Sequence, residues 1–400
     1  MAAGLTRPDW RGVKKLRVGV IYGGRSGEHE VSVASAASII KHLDRSRYEP
    51  VPIRIEKDGR WTLADKPPSV IKAADVIESA RLQAARPARP GREAHLVAHP
   101  GEDTVLTIER RGDSSVAEQG TSAVVTGLGL DVIFPVLHGP YGEDGTVQGL
   151  LELANVPYVG AGVLGSAVGM DKAVMKQLFA AQGLPVGPYL VTLRREWGRD
   201  NVAVTARVER KLGYPVFVKP ANLGSSVGIS KARNATELAE AVRLAADFDR
   251  KIVIESAVPK AREIECAVLG NDEPEASVAG EIIPSGEFYD YESKYLDEGS
   301  KLLIPAPISE SQMAEVRRLS IAAFRAVDGA GMSRVDFLMD GDTGAMYLNE
   351  VNTIPGFTTI SMYPKLWEAS GLAYPDLIDR LIALAIDRHS EKQQLRTSVT

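Results

Sequence analysis

The sequence predicts a mixed α/β protein of three domains, the first built on a parallel sheet. Three observations point there. The chain opens with a β–loop–α–β order, which favours parallel pairing. From about Asp171 helices and strands alternate around a Gly/Ser-rich loop. From about Arg262 strands dominate, and the block closes on a hairpin with two facing carboxylates. Four hundred residues exceed one ordinary core and suggest two to four domains.

In order, residues 1–15 form a loose leader. Arg17–Tyr22 reads as a buried strand, Gly23–Gly27 as a turn, Val31–Leu43 as a helix and Tyr48–Glu56 as a second strand. Between 64 and 122, Ala-, Arg- and Pro-rich pieces interrupt any period, and an irregular insertion is expected, with a surface β-ribbon or a partly disordered stretch both open. Asp131–Leu137 resumes as a strand and Gly145–Ala154 as a helix. Helix Lys172–Gln182 stops at Gly183-Leu184-Pro185. Strand Val216–Lys219 leads into the Gly/Ser loop; helix Thr236–Asp247 and strand Ile252–Glu255 follow. Helix Ser309–Ala326, the hairpin and a last helix through Ile386 complete the chain, with a frayed polar tail. The boundaries expected are 1–165, 166–259 and 260–390, with 391–400 a flexible tail. No internal repeat is found.

Composition narrows the function. The chain is 44% hydrophobic and 25% charged, as in a soluble globular protein. A net charge of −5 gives no basic field for nucleic acid. The single cysteine, Cys266, forms no internal disulfide, which fits a reducing compartment. No apolar run approaches the ~18 residues of a membrane span, and the N-terminal apolar run is too short for a signal peptide.

The hairpin carries chemistry. In Ser333–Met339 and Ala345–Asn352 side chains alternate faces, so Arg334 and Asp336 share one face with Glu350 and Asn352. A symmetric fold-back across Asp340–Gly344 sets Asp336 opposite Glu350 and Arg334 opposite Asn352. Facing carboxylates repel; a cation between them removes that cost, and oxygen ligands suit Mg2+. A solvated polar face with no metal is the plainer reading of the segment alone.

In Val218–Gly228 the strand-end Lys219 meets a loop of small residues. Such loops let backbone N–H groups approach an anion while a lysine adds charge. The ending of a Walker A loop is missing, and Gly23–Gly27 is not a dinucleotide fingerprint, which argues against an NAD-dependent oxidoreductase. Alone, the loop reads as a turn and Lys172 as a surface lysine.

Taken together, Gly23–Val33, His138–Gly149, Met170–Lys172, Val218–Ser230, Phe288–Leu296, Ser333–Asp336 and Asn349–Met362 resemble the ATP-grasp ligases, specifically the D-alanine–D-alanine ligases, in the family's order from about residue 17 to about 387. The resemblance implies a three-domain ATP-grasp fold with ATP between the second and third domains. It implies that Lys172 and Lys219 contact ATP phosphates beside Ser225 and Ser226. Glu255 and Val258 fall at the adenine site, Glu263 meets the ribose, and Asn349 lines the nucleotide site. Asp336, Glu350 and Asn352 match the metal ligands for two Mg2+ ions, with Mn2+ as a substitute and a monovalent cation such as K+ as a further factor.

The implied reaction makes an acyl phosphate from one D-alanine, which the amine of a second D-alanine attacks. Glu30 matches the carboxylate that holds the first ammonium; a helix-dipole role is its local alternative. His138 matches a position beside the first D-alanine, although a packed structural histidine is as good a local reading. Arg334 and the N–H of Gly356 match the oxyanion donors. Ser361 and Met362 match contacts to the second substrate. Lys294 and Tyr295 lie in an aromatic lid that excludes water. Tyr295 is expected to bond Ser225, which in turn reaches Glu30. Tyr295 with His138 favours dipeptide formation over a D-lactate or D-serine product. The resemblance implies a homodimeric cytoplasmic ligase of peptidoglycan precursor synthesis, with small-molecule substrates only. A non-catalytic nucleotide-binding module is the alternative of another class; the intact set Lys172, Lys219, Arg334, Asp336, Glu350 and Asn352 argues against it.

Overall fold

A computed structural model of the protein describes residues 14–68, 74–76, 78, 92–100, 104–111, 122–284 and 300–396. The expectations on Lys294 and Tyr295 lie outside these residues.

The first sheet has seven strands in the order β6-β5-β4-β3-β2-β1-β7. They are β1 (Leu16–Gly23), β2 (Tyr48–Ile55), β3 (Trp61–Leu63), β4 (Arg92–Leu96), β5 (Val105–Arg111), β6 (Ser122–Leu128) and β7 (Val132–Val136). β1 pairs in parallel with β2 and β7, as the opening β–α–β order predicts. The apolar run of β1 is buried because helices cover both faces. Val18, Val20 and Tyr22 meet helix His29–His42 and the final helix Tyr374–Gln393. Ile21 meets helix Thr146–Ala154. The segment 64–122 corrects the expectation of an irregular insertion. Its described stretches supply β4 and β5, and with β3 and β6 they form an antiparallel extension of this sheet.

The second sheet, β10-β9-β11-β8, comprises β8 (Tyr189–Leu193), β9 (Val216–Pro220), β10 (Ser230–Ala232) and β11 (Lys251–Ser256). One face packs on helices Asn201–Lys211 and Ala235–Phe248 through Val216, Val218, Ile252 and Ile254. The alternate residues Lys219, Val253 and Glu255 lie on the other face, towards helix Lys172–Ala181.

The third sheet, β14-β13-β12-β15-β16, holds β12 (Arg262–Gly270), β13 (Glu275–Ile283), β14 (Lys301–Leu303), β15 (Gly331–Met339) and β16 (Met346–Asn352). Ile264, Cys266, Val268, Val335 and Phe337 pack on helix Glu310–Ala326. Period-2 alternation sends Glu265, Arg334 and Asp336 to the opposite face. The final helix runs to Gln393, further than expected. Arg388 donates to the Gly160 and Tyr158 carbonyls and lies over the Tyr158 ring, and Lys392 pairs with Glu152.

Candidate active site

The site lies on the polar face of the third sheet. Asp336 pairs directly with Glu350 and Arg334 with Asn352, as the hairpin reading expects. A third carboxylate, Glu265 on β12, is the other cross-strand partner of Asp336. Three acidic residues therefore stand in a row across β12, β15 and β16. Arg334 makes this tolerable: its Nε and Nη2 donate to Asp336 at 2.7 and 2.6 Å, and Nε lies 3.0 Å from Glu265. Burial works against the guanidinium's charge, but Asp336 and Glu265 outweigh it and raise its pKa well above the usual value. Bidentate pairing also fixes the plane of the guanidinium.

Asp171 caps helix Lys172–Ala181 by accepting from Ala173 and Val174 N–H, worth about 1 kcal/mol. That start sends Lys172 and Lys176, one turn apart, towards the sheets. Lys172 Nζ donates to Leu223 O at 2.8 Å and pairs with Glu350 at 3.1 Å. Burial penalises its charge, and Glu350 more than compensates, so its pKa is raised. Lys219 Nζ donates to Glu255 at 3.0 Å and to Asn349 at 3.1 Å. Ser225 and Ser226 sit in the loop at φ 49° and 58°, a left-handed region that serine visits at a cost. Contacts at both ends hold them there: Lys172 grips Leu223, and Ser225 donates its hydroxyl to Glu28.

That last contact corrects the expectation that Ser225 reaches Glu30. Helix His29–His42 makes Glu28 its N-cap, yet the carboxylate caps nothing and turns to Ser225 instead. Glu30, two residues on in the first turn, pairs with Lys57 at 2.6 Å. Gly139, at φ +74°, lets the chain pass between the Glu28 and Ser26 side chains; a Cβ there would lie 3.3 Å from Glu28 and 3.1 Å from Ser26. Glu143 accepts from Gly139 N–H at 2.8 Å. Burial, then the Glu28 charge, pushes the Glu143 carboxyl up to about 8. Glu28, Glu143 and Glu265 are absent from the sequence-derived set. Each sits in a stretch already singled out or on the face of Glu263, so alternation and motif membership were the available signals.

His138 donates from Nδ1 to Ile354 O at 3.0 Å, leaving Nε2 buried without a hydrogen-bond partner. Burial lowers its pKa, so the ring is a neutral acceptor. Asn352 Oδ1 accepts from Ile354 N–H at 3.1 Å. Gly356 lies against Ser361, whose hydroxyl is tied to Thr358. Met362 is buried in the core against Gly280. Glu263 is on β12, and Val258 in the crossing between β11 and β12. Among the described residues no three His, Cys, Asp or Glu side chains are grouped to hold a metal. Asp336, Glu350 and Asn352 share one sheet face, and their side-chain oxygens are of the kind that suits a hard divalent ion.

Comparison with known proteins matches residues 17–161 to the family model "D-ala D-ala ligase N-terminus" and residues 178–383 to "D-ala D-ala ligase C-terminus". The chain belongs to the D-ala D-ala ligase family. It is 50% identical over 384 residues to a D-alanine--D-alanine ligase of Heliobacterium modesticaldum, covering 96% of this chain and 98% of the relative. A Thermoanaerobacter sp. relative of the same name is 51% identical over 381 residues, covering 95% and 99%. The structure of the D-alanine-D-alanine ligase from Coxiella burnetii aligns with TM-score 0.76 and 36% identity over 95% of this chain and 96% of that one. The VanG D-Ala:D-Ser ligase from Enterococcus faecalis aligns with TM-score 0.73 and 31% identity over 93% and 100%. The fold is that of the ATP-grasp ligases, and membership of this family implies an ATP-dependent ligase with a divalent metal and small-molecule substrates. Among the described residues no helix is long and apolar enough to cross a membrane.

Proposed function

We propose that this protein joins two molecules of D-alanine into D-alanyl-D-alanine, coupled to cleavage of ATP, in the cytoplasmic synthesis of peptidoglycan precursors. One observation carries the reading: the Lys172–Glu350 and Arg334–Asp336 ion pairs stand side by side, because Asp336 and Glu350 are cross-strand partners, and Lys172 also holds the Gly/Ser loop, in a chain of this family.

The first D-alanine carboxylate attacks the γ-phosphorus of ATP; ADP leaves and an acyl phosphate forms. The amine of the second D-alanine attacks the acyl carbon and phosphate leaves. The protein's part is placement and charge neutralisation. Lys172 and Lys219 hold the phosphates with the N–H groups of the Ser225–Ser226 loop. Glu255 and Val258 meet the adenine, and Glu263 the ribose. Asp336, Glu350 and Asn352 would hold two Mg2+ ions, with Mn2+ as a substitute and K+ as an added monovalent ion. The bound metals neutralise charge on the transferring phosphoryl group. Arg334 and Gly356 N–H then receive the oxyanion.

Glu28 rather than Glu30 holds the first ammonium, because Glu28 is the carboxylate joined to the Gly/Ser loop. His138 stands beside that substrate. Ser361 receives the second substrate, with Met362 supporting it from the core. The working state is a homodimer.

The test is phosphate release with ATP and Mg2+, supplying D-alanine alone or with D-lactate or D-serine, with products identified by mass. Dipeptide from D-alanine alone, abolished by a chelator, is expected. A mixed depsipeptide or D-alanyl-D-serine as the main product would overturn the second-substrate assignment. Tyr295→Phe should raise the ester fraction.

A further inference from the structure

Lys176 is almost wholly buried at 2% exposure, one helical turn after Lys172. Its ion-pair partner is Glu255, at 3.3 Å from Oε1. Lys219 holds the other oxygen, Oε2, at 3.0 Å. The Glu255 carboxylate is thus gripped from two sides by lysines on different elements. Burying two lysines and one carboxylate is expensive, and apolar replacements are often no worse. A site that keeps the arrangement has a use for the carboxylate's charge or orientation. Oε1 is buried with the Lys176 ammonium as its partner, and a carboxylate oxygen keeps a second lone pair to offer.

An ionised carboxylate accepts hydrogen bonds and donates none. A 6-amino purine offers a donor at that position; a 6-keto purine offers an acceptor. We propose that Lys176 is a positioning residue for nucleotide selection: it fixes Oε1 of Glu255 while Lys219 fixes Oε2, and the acceptor so presented favours a 6-amino over a 6-keto purine. The inference rests on placing the base of ATP at Glu255. Burial works against ionisation of Glu255, but the two lysines outweigh it and hold its pKa down to about 2, so the carboxyl stays a pure acceptor at every working pH.

The test compares ATP with inosine triphosphate, which differs at the 6-position, in steady-state kinetics. Lys176→Gln keeps a polar group but loses the charge. It should raise KM for ATP about tenfold with kcat within about threefold, and cut the ATP-to-inosine-triphosphate ratio of kcat/KM about tenfold; Lys176→Arg should restore both. Where Lys176→Gln does not fold, Lys176→Met/Glu255→Gln removes both charges and carries the test. Its ratio should equal that of Glu255→Gln alone, because Lys176 acts through Glu255. A ratio a further tenfold lower would overturn the proposal, as would a uniform loss of kcat with the ratio intact. Unchanged kinetics in Lys176→Gln with both parameters shifted in Glu255→Gln would overturn the role of Lys176 but keep adenine at Glu255. Unchanged kinetics in both variants would overturn both.

Discussion

Ser225 donates its hydroxyl hydrogen bond to Glu28, a residue 197 positions earlier in the chain. The contact ties the Gly/Ser loop of the second sheet to the turn after β1, and it separates two glutamates of one motif. Replacing Glu28 with Gln removes the charge facing the loop and the first-substrate site. It should lower kcat/KM for D-alanine about 100-fold, within the range for loss of a charged substrate contact. Glu30→Gln breaks a pair whose lysine is 65% exposed, so screening leaves little at stake and activity should stay within about threefold. Steady-state kinetics on both variants decide it. Equal losses would show that the Ser225 contact does not mark the working carboxylate.

Arg334 shares its guanidinium between Asp336 and Glu265 in a fixed plane. Lysine keeps the charge but not the fork. Arg334→Lys should reduce kcat about 10²- to 10³-fold, the usual result of losing an oxyanion donor, and leave KM for ATP within a few fold. A variant with near-normal kcat would move the oxyanion role away from Arg334.

How much of this the sequence revealed depends on which interactions are local. The Asp336–Glu350 and Arg334–Asn352 pairs were legible because a short turn and period-2 alternation dictate them. Glu265 was not, because its place beside Asp336 depends on β12 pairing with β15 across some 70 residues. Choosing Glu28 over Glu30 needed the helix start, since one residue of shift turns a side chain about 100°. The strands within 64–122 were hidden by Pro- and Arg-rich breaks. The helical tail to Gln393 was hidden because its partners, Tyr158, Gly160 and Glu152, lie more than 200 residues earlier in the chain.

Arg388 joins the last helix to that domain through two backbone carbonyls and a ring 4.6 Å from its guanidinium carbon. Charge-assisted bonds of this kind are worth about 1.5–3 kcal/mol, with the stacking adding about 0.5–1 kcal/mol. Arg388→Ala should therefore lower the thermal midpoint by several degrees without changing KM for ATP, since neither Tyr158 nor Gly160 is among the residues proposed to meet the nucleotide. Differential scanning fluorimetry beside kinetics checks it; an unmoved midpoint would mean that the carbonyls find other partners at no cost.

Glu143 links stability to pH. Burial and the nearby Glu28 charge hold its carboxyl at about 8 in the native state, against 4.5 when unfolded. Below pH 4.5 both states carry the proton and the residue contributes no pH dependence. Between 4.5 and 8 the unfolded chain releases the proton while the folded chain keeps it, so stability falls as pH rises. Above about 8 both are ionised and the full penalty, on the order of 3–5 kcal/mol by linkage, is present. Glu143→Gln can still accept from Gly139 N–H and never ionises. Relative to wild type, its unfolding midpoint should be level at pH 5 and progressively higher from pH 6 to pH 9. Titrating groups that do not interact with Glu143 are common to both proteins and cancel in the difference. A midpoint difference that is flat across this window would place Glu143 in a more polar setting than its burial indicates.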